Sequence, residues 1–305
     1  MNRTVVVALT LVCARAFGQQ AAPVRPKIVG IDHVVFYTTD DAHNGHLYGT
    51  VLGLASARPL EAGEKTRFIV GKQWIGYSPA PDAKSANRMD HVALWTDDCE
   101  RMRAYLSAQG VTAQGQISQW KEGSRSFRVQ DPEGHTIEFV QRSKTAVVKS
   151  QARTTAPDAI SHRIIHAGFI VHDRPAEDHF YKDILGFHLY WQGGMQNDRA
   201  DWVAMQVPDG TDWVEYMLNI KPDADQRLTG VMNHVSLGVK DIKEAQAKLE
   251  ARGWKANDRE HAQMGRDGKW QLNLYDPDQT RIELMEFAPA EKPCCSEFQG
   301  KHPTE

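Results

Sequence analysis

Four segments of the chain share one order of hydrophobic and polar positions: an alternating run with a histidine, an amphipathic stretch, then further alternating runs. The first opens with IDHVVFYTT at 31–39, passes through HLYGTVLGL at 46–54 and reaches KQWIGYSP at 72–79. The second opens with MDHVALWTDD at 89–98 and closes with HTIEFVQ at 135–141. The third runs from IIHAGFIVHD at 164–173 through DHFYKDILGF at 178–187 to DWVEYMLN at 212–219. The fourth runs from MNHVSLGVKD at 232–241 to TRIELMEF at 280–287. Period two predicts strands. The stretches between predict helices, among them 99–109 ahead of Gly110 and 242–252 ahead of Gly253. Glycine at these places suits the left-handed residue that ends a helix. The repeated unit, not the single element, is the building block.

Segments two and four each carry an Asp-Pro turn, Asp131-Pro132-Glu133-Gly134 and Asp276-Pro277-Asp278-Gln279. Asp can bond its own backbone there and Pro presets φ. In the strands that follow, alternation puts Ile137 and Phe139 on one face and Glu138 on the other. Ile282 and Leu284 oppose Glu283 in the same way. One such Glu is ordinarily a solvated strand face. The same placement twice, each at matching distance from a histidine, points to a site.

Residues 1–18 read as a secretory signal: Arg3, the apolar run Val5–Val12, then small residues at Ala16 and Gly18. The run is too short to span a bilayer. This predicts a secreted or periplasmic protein whose mature chain begins near Gln19. Residues 27–142 and 161–288 form two domains, each a pair of segments. The polar, Ala/Thr-rich stretch 143–160 joins them and 289–305 is a C-terminal tail. A net charge of −3 leaves no basic stripe for nucleic acid. No later stretch is apolar enough for a membrane span. Cys99 stands alone, and Cys294 and Cys295 adjoin in the polar tail. Neighbouring cysteines bridge each other only with strain. We therefore expect no disulfide framework and an inert, disordered tail.

The segment order, the LGL and LGF after the first helix of each domain and the Asp-Pro turns resemble the βαβββ modules of the vicinal oxygen chelate superfamily. That superfamily includes glyoxalase I, extradiol dioxygenases and bleomycin- and fosfomycin-resistance proteins. The resemblance covers nearly all of the chain after the leader. It implies an α+β fold of two tandem domains, each a pair of modules curled into a half-open barrel. Metal ligands then project inward from the first and last strands of each module. In the second domain this assigns His166, Glu215, His234 and Glu283. In the first it assigns His33, His91 and Glu138, with Gly76 where Glu215 stands. The implied cofactor is a divalent metal: Zn, Ni, Mn or Fe(II). Two imidazoles with one carboxylate is a pattern of non-haem Fe(II) sites and suits other divalent ions too.

The favoured function is an exported metal-dependent enzyme, a glyoxalase-like isomerase, lyase or epimerase. Its substrate is a small molecule that chelates the ion through adjacent oxygens, with Glu215 as the base. Glutathione is scarce in an oxidising exported compartment, so ordinary glyoxalase I does not fit. The alternative is an Fe(II) dioxygenase built on His33, His91 and Glu138. Against it, Arg128 and Asn273 occupy the positions where ring-cleaving relatives carry a tyrosine. A third possibility is a non-catalytic binder of small molecules. By alternation Trp213 shares the face of Glu215, Trp95 that of His91 and Trp74 that of Gly76, so these rings are pocket candidates. His172 is assigned to the inward face of its strand as a possible proton carrier. A monomer or homodimer is expected.

Overall fold

A computed structural model describes residues 23–58, 66–144, 156, 158–256 and 260–305. The leader and most of the stretch 143–160 lie outside the described residues. The first domain contains β1 (Ile28–Thr38), β2 (Ala55–Ala57), β3 (Thr66–Val70) and β4 (Gln73–Pro79), followed by β5 (Met89–Thr96), β6 (Ala113–Gln119), β7 (Arg125–Gln130) and β8 (Thr136–Gln141). They form one eight-stranded sheet in the order β2-β3-β4-β1-β5-β8-β7-β6. The second domain repeats this with β9 (Ile164–Ile170), β10 (His188–Gly193), β11 (Trp202–Gln206), β12 (Trp213–Met217), β13 (His234–Val239), β14 (Gln263–Met264), β15 (Trp270–Tyr275) and β16 (Arg281–Glu286). Its order is β10-β11-β12-β9-β13-β16-β15-β14. The fold is thus α+β, two mixed sheets of matching topology. In each, the opening strands of two modules pair antiparallel at the centre, and each closing strand lies parallel outside its own opener. Four adjacent strands therefore carry all the predicted ligand positions.

Among the described residues, the helices complete at both ends are α1 (Asp41–His46), α2 (Cys99–Ala108), α3 (Arg174–Asp178), α4 (Gln226–Met232) and α5 (Ile242–Ala251). Each starts with an aspartate, Asp40, Asp98, Asp173, Asp225 or Asp241, whose side chain accepts a backbone N–H of the first turn. This is the usual capping chemistry. α1 and α3 run on into π-helical turns, Leu47–Val51 and His179–Ile184. Gly110 and Gly253 hold φ of 82° and 91° just beyond α2 and α5, so they end those helices as the sequence indicates.

The largest cluster of buried side chains runs through both domains, including Phe36, Tyr48 and Leu106 from the first and Phe169, Tyr181 and Leu284 from the second. Two smaller clusters belong to single domains: Trp74 and Trp120 in the first, Trp191 and Trp213 in the second. The domains also exchange polar contacts. Gln73 donates to Ile31 O and to Ile164 O, both at 2.9 Å, and accepts from Ile164 N at 2.7 Å. Asp212, its counterpart in the repeat, accepts from Ile31 N at 3.0 Å.

Each Asp-Pro turn clasps the start of the other domain's first helix. Glu133 Oε1 accepts the N–H of His172 at 2.6 Å and of Asp173 at 2.5 Å. Asp278 Oδ2 accepts from Thr39 N at 2.8 Å and from Thr38 Oγ1 at 3.1 Å. His172 is consequently not the inward residue that alternation placed it as. β9 ends at Ile170, and the half-exposed His172 ring meets Glu133 Oε2 at 3.0 Å. Strand parity fails where the strand has already stopped.

The second turn makes stability depend on pH. Asp276 Oδ1 accepts from Thr280 N at 2.8 Å, while its other oxygen is buried without a hydrogen-bond partner. Burial, helped by the charge of Asp278, pushes the Asp276 carboxyl from 3.8 up to about 7. The folded chain therefore keeps a proton that the unfolded chain releases. That contribution to stability is complete below the unfolded value and is lost as pH rises through about 7. Asp276→Asn keeps the acceptor for Thr280 and removes the charge. We expect it to raise the melting temperature at about pH 8, with a gain that shrinks toward pH 5. A pH-independent gain would contradict the assignment.

The tail corrects two expectations. Cys294 and Cys295 form a disulfide with each other, and the segment around them packs rather than hanging free. Trp191 Nε1 donates to Cys294 O at 3.2 Å, Gln192 N to Ser296 Oγ at 3.0 Å and Gln299 N to Tyr190 O at 2.9 Å. Because β10 is an edge strand, its unpaired backbone groups need such partners. Phe298 anchors the segment on Tyr190, with ring centroids 4.8 Å apart. One aromatic anchor in a polar stretch carries no period, so the pattern of the sequence gives no sign of it.

Candidate metal centres

In the first domain, β1, β5 and β8 bring His33, His91 and Glu138 to one point. The two Nε2 atoms lie 3.0 Å apart, and Glu138 Oε2 is 3.1 Å from His91 Nε2 and 3.5 Å from His33 Nε2. All three side chains are buried. Burial would raise the Glu138 carboxyl, but hydrogen bonds and charge from His33 and His91 hold it well below the usual range. His33 Nδ1 meets Asp32 Oδ1 at 2.8 Å, and Arg142 in turn pairs with Asp32. Asp32 thereby fixes the tautomer that leaves the His33 Nε2 lone pair facing the site. Trp74 stacks on the His33 ring at 3.7 Å and 11°. Arg128 Nη2 stands 3.4 Å from both Glu138 Oε2 and His91 Nε2. A cleft of about 570 Å³ opens beside this centre, lined by Glu138, Arg128, Trp120 and Lys121 among others.

The second domain repeats the arrangement and adds to it. His166 and His234 from β9 and β13 place their Nε2 atoms 3.0 Å apart. Glu283 Oε2 from β16 is 3.1 Å from His166 Nε2. Glu215, on β12, sits further out, its Oε2 at 3.5 Å from His234 Nε2 and 3.8 Å from His166 Nε2. The backbone carbonyl of Met232 can only accept, so its 2.8 Å contact puts the proton on His234 Nδ1 and the lone pair on Nε2. Arg281 Nη2 donates to that lone pair at 2.8 Å. The ring planes of the two histidines cross at 85°, against 87° in the first domain.

Electrostatics separates the two carboxylates of this centre. Burial, then the charge of Glu283, pushes Glu215 up to about 8. Burial acts on Glu283 too, but Arg281 and both imidazoles hold it far below the usual range. Burial likewise lowers both histidines, keeping them neutral and able to ligate. Lys269, wholly buried, has its Nζ 4.7 Å from the Trp213 ring centre and 3.1 Å from the Tyr190 hydroxyl. Burial brings it down to about 8, against the pull of Asp267.

Both centres fit a divalent ion. Ligand atoms about 2.1 Å from one ion and at right angles to each other lie about 3.0 Å apart. That is the spacing of the paired imidazole nitrogens. In addition, the buried Glu283 Oε2 makes no hydrogen bond, although a ring nitrogen lies 3.1 Å away. A cation between them would satisfy both.

The remaining candidates divide. Trp213 stacks on His166 at 4.7 Å, and Trp74 on His33. Trp95 instead carries the Arg142 guanidinium at 4.9 Å, beside the Asp32 pair and not on the His91 ring. Asn273 pairs in register with Glu283, as Arg128 does with Glu138. Sequence reasoning missed Asp32, Arg142, Lys269 and Arg281. Parity could have found one of them, because Arg281 shares the Glu283 face of β16, whereas Lys269 precedes the first residue of β15. Asp32 reaches His33 across a register irregularity between Ile31 and His33, which alternation does not reveal.

A model of the Glyoxalase/Bleomycin resistance protein/Dioxygenase superfamily matches residues 30–139 and 163–284. A variant of homoprotocatechuate 2,3-dioxygenase from B. fuscum is similar in fold, with 19% identity and a TM-score of 0.62 over 88% of this chain and 73% of that one. The 2,3-dioxygenase LapB from Pseudomonas sp. KL28 is similar over 92% of this chain and 96% of its own, at 16% identity and a TM-score of 0.64. At such identity the likeness concerns the fold alone. No curated protein matches in sequence.

Proposed function

The chain belongs to the Glyoxalase/Bleomycin resistance protein/Dioxygenase superfamily, and from that premise we propose a metal-dependent isomerase, lyase or epimerase whose working centre is in the second domain. The observation that carries this is the position of Glu215. Its carboxyl faces the two imidazoles yet stands outside the compact trio of His166, His234 and Glu283. A carboxyl beside the ligands but not needed among them is free to move a proton. A divalent ion held by the trio, Zn²⁺ for example, would polarise a chelated carbonyl and make the neighbouring C–H acidic. Glu215 takes that proton and returns it to an adjacent atom. No oxidant is consumed. Arg281 keeps Glu283 ionised and Met232 O keeps His234 in its ligating tautomer. Trp213 stacks on the His166 ring, and the substrate class such a centre would take is a small 2-oxo or 2-hydroxy carbonyl compound.

Metal analysis tests the centre. The double variant His234→Ala, Glu283→Ala should lose one equivalent of bound metal relative to the unaltered chain. Unchanged stoichiometry would remove the basis of the proposal.

A specific observation favours a second possibility. The cleft beside His33, His91 and Glu138 offers a substrate space at the first centre. Such a trio leaves coordination positions open, as an Fe(II) dioxygenase requires. Arg128 lines that cleft and would bind an anionic group of the substrate.

Export belongs to the same proposal. The leader motivates it, and the Cys294–Cys295 disulfide suits an oxidising compartment. Mass analysis of the protein from its native cell should show a chain starting near Gln19. Recovery of a cytoplasmic form retaining Met1 would refute it.

A further inference from the structure

Away from both centres, a third group of ligand-type side chains lies where the domains meet. Asp131 and His135 come from the turn between β7 and β8, and Glu177 comes from α3. One ligand atom of each lies within 4.8 Å of the other two. Each carboxylate has one oxygen fixed by backbone. Asp131 Oδ1 accepts from Glu133 N at 3.1 Å and from His135 N at 2.8 Å. Glu177 Oε1 accepts from Glu133 N at 3.1 Å.

Of the second oxygens, that of Glu177 is left for a ligand, while that of Asp131 is shared by two neighbours. Asp131 Oδ2 meets His135 Nδ1 at 2.7 Å and accepts from the Tyr181 hydroxyl at 3.1 Å. Glu177, at 0% exposure, has its Oε2 buried without a hydrogen-bond partner. Burying such an oxygen is costly unless something positive meets it. The His135 ring keeps 16% of its surface exposed, which gives an ion a route in.

The internal repeat supplies a comparison. Aligning HNGHLYGTVLGL with AEDHFYKDILGF sets Asn44 opposite Glu177, and the two turns set Thr280 opposite His135 and Asp276 opposite Asp131. The other clasp thus closes with an amide and a hydroxyl. An acid and an imidazole are not needed to hold the interface.

We propose that Asp131, His135 and Glu177 bind a divalent cation of the Zn²⁺ type that ties the two domains together. Two carboxylate oxygens and one imidazole nitrogen are a donor set for such an ion. Tyr181 holds Asp131 from outside the ligand shell. On binding, His135 exchanges its contact with Asp131 for the ion, ligating through Nδ1 with its N–H on Nε2.

The full chain, stripped by chelator and dialysed against ZnCl₂, provides the test. Glu177→Gln and His135→Ala should each bind one zinc fewer per chain than the unaltered protein, while Asn44→Ala should bind the same number. Zn²⁺ should also raise the melting temperature of the unaltered chain more than that of either ligand variant. Equal zinc content in the unaltered chain and both ligand variants would overturn the proposal. A matching loss in Asn44→Ala would overturn it as well, because it would trace the loss to a disturbed interface. His33 and His166 are intact in every variant, so the result is independent of the two centres above.

Discussion

Glu215→Gln is expected to slow turnover by about 10²–10⁴-fold, the usual worth of a positioned base, while leaving the metal content of the second domain nearly unchanged. The glutamine has the same shape and cannot take a proton from carbon. The three remaining ligand atoms are already brought together by β9, β13 and β16, with Glu215 at 3.5 Å or more from the imidazole nitrogens. The contrast between the two carboxylates gives the substitution its force. Glu283 is pinned by Arg281 and the imidazoles, whereas burial governs Glu215. Opposed environments of this kind divide one pair of like groups into separate roles. The measurement is exchange of the substrate C–H with solvent deuterium, under anaerobic conditions, among 2-oxo and 2-hydroxy carbonyl compounds. Exchange at the unaltered rate in the variant would show that Glu215 moves no proton.

The repeat made the fold and the centres legible, and local context limited the rest. The histidines sit at fixed positions in alternating strands, so His33, His91, His166 and His234 could be placed by parity on faces that the sheet topology then turns inward. Glu138 and Glu283 follow from the same parity and the Asp-Pro turns. The readings that failed did so where periodicity has no hold. His172 lies past the end of β9, and the clasp of Glu133 on the next helix start takes it away from the barrel. The tail around Cys294 is held by the Trp191 indole and by backbone groups of Gln192 and Tyr190 on an edge strand, which no hydrophobic pattern encodes. Asp32 acts through a local irregularity of register. Arg142 and Lys269 are long side chains whose reach, not their strand position, puts them beside the centres.

His166→Ala should reduce anaerobic turnover by more than about 10³-fold, since without the ion Glu215 faces no acidified C–H. His33→Ala should leave that activity in place. The expectation rests on an asymmetry between otherwise matching centres. Both hold imidazole nitrogens 3.0 Å apart with a glutamate 3.1 Å from one of them. Only the second adds a carboxyl at the position of Glu215, where the first has Gly76. Proton transfer beside a chelated carbonyl needs that extra group and a Lewis acid, and it needs no oxygen. Both variants would be assayed with Zn²⁺ under argon and with Fe(II) in air, using catechol-like and hydroxy-acid substrates in the second case. Activity confined to Fe(II) and oxygen, abolished by His33→Ala and preserved in Glu215→Gln, would move the working centre to the cleft of the first domain. Arg128, 3.4 Å from Glu138 there, would then be the residue to replace next, because its guanidinium is placed to hold an anionic substrate group.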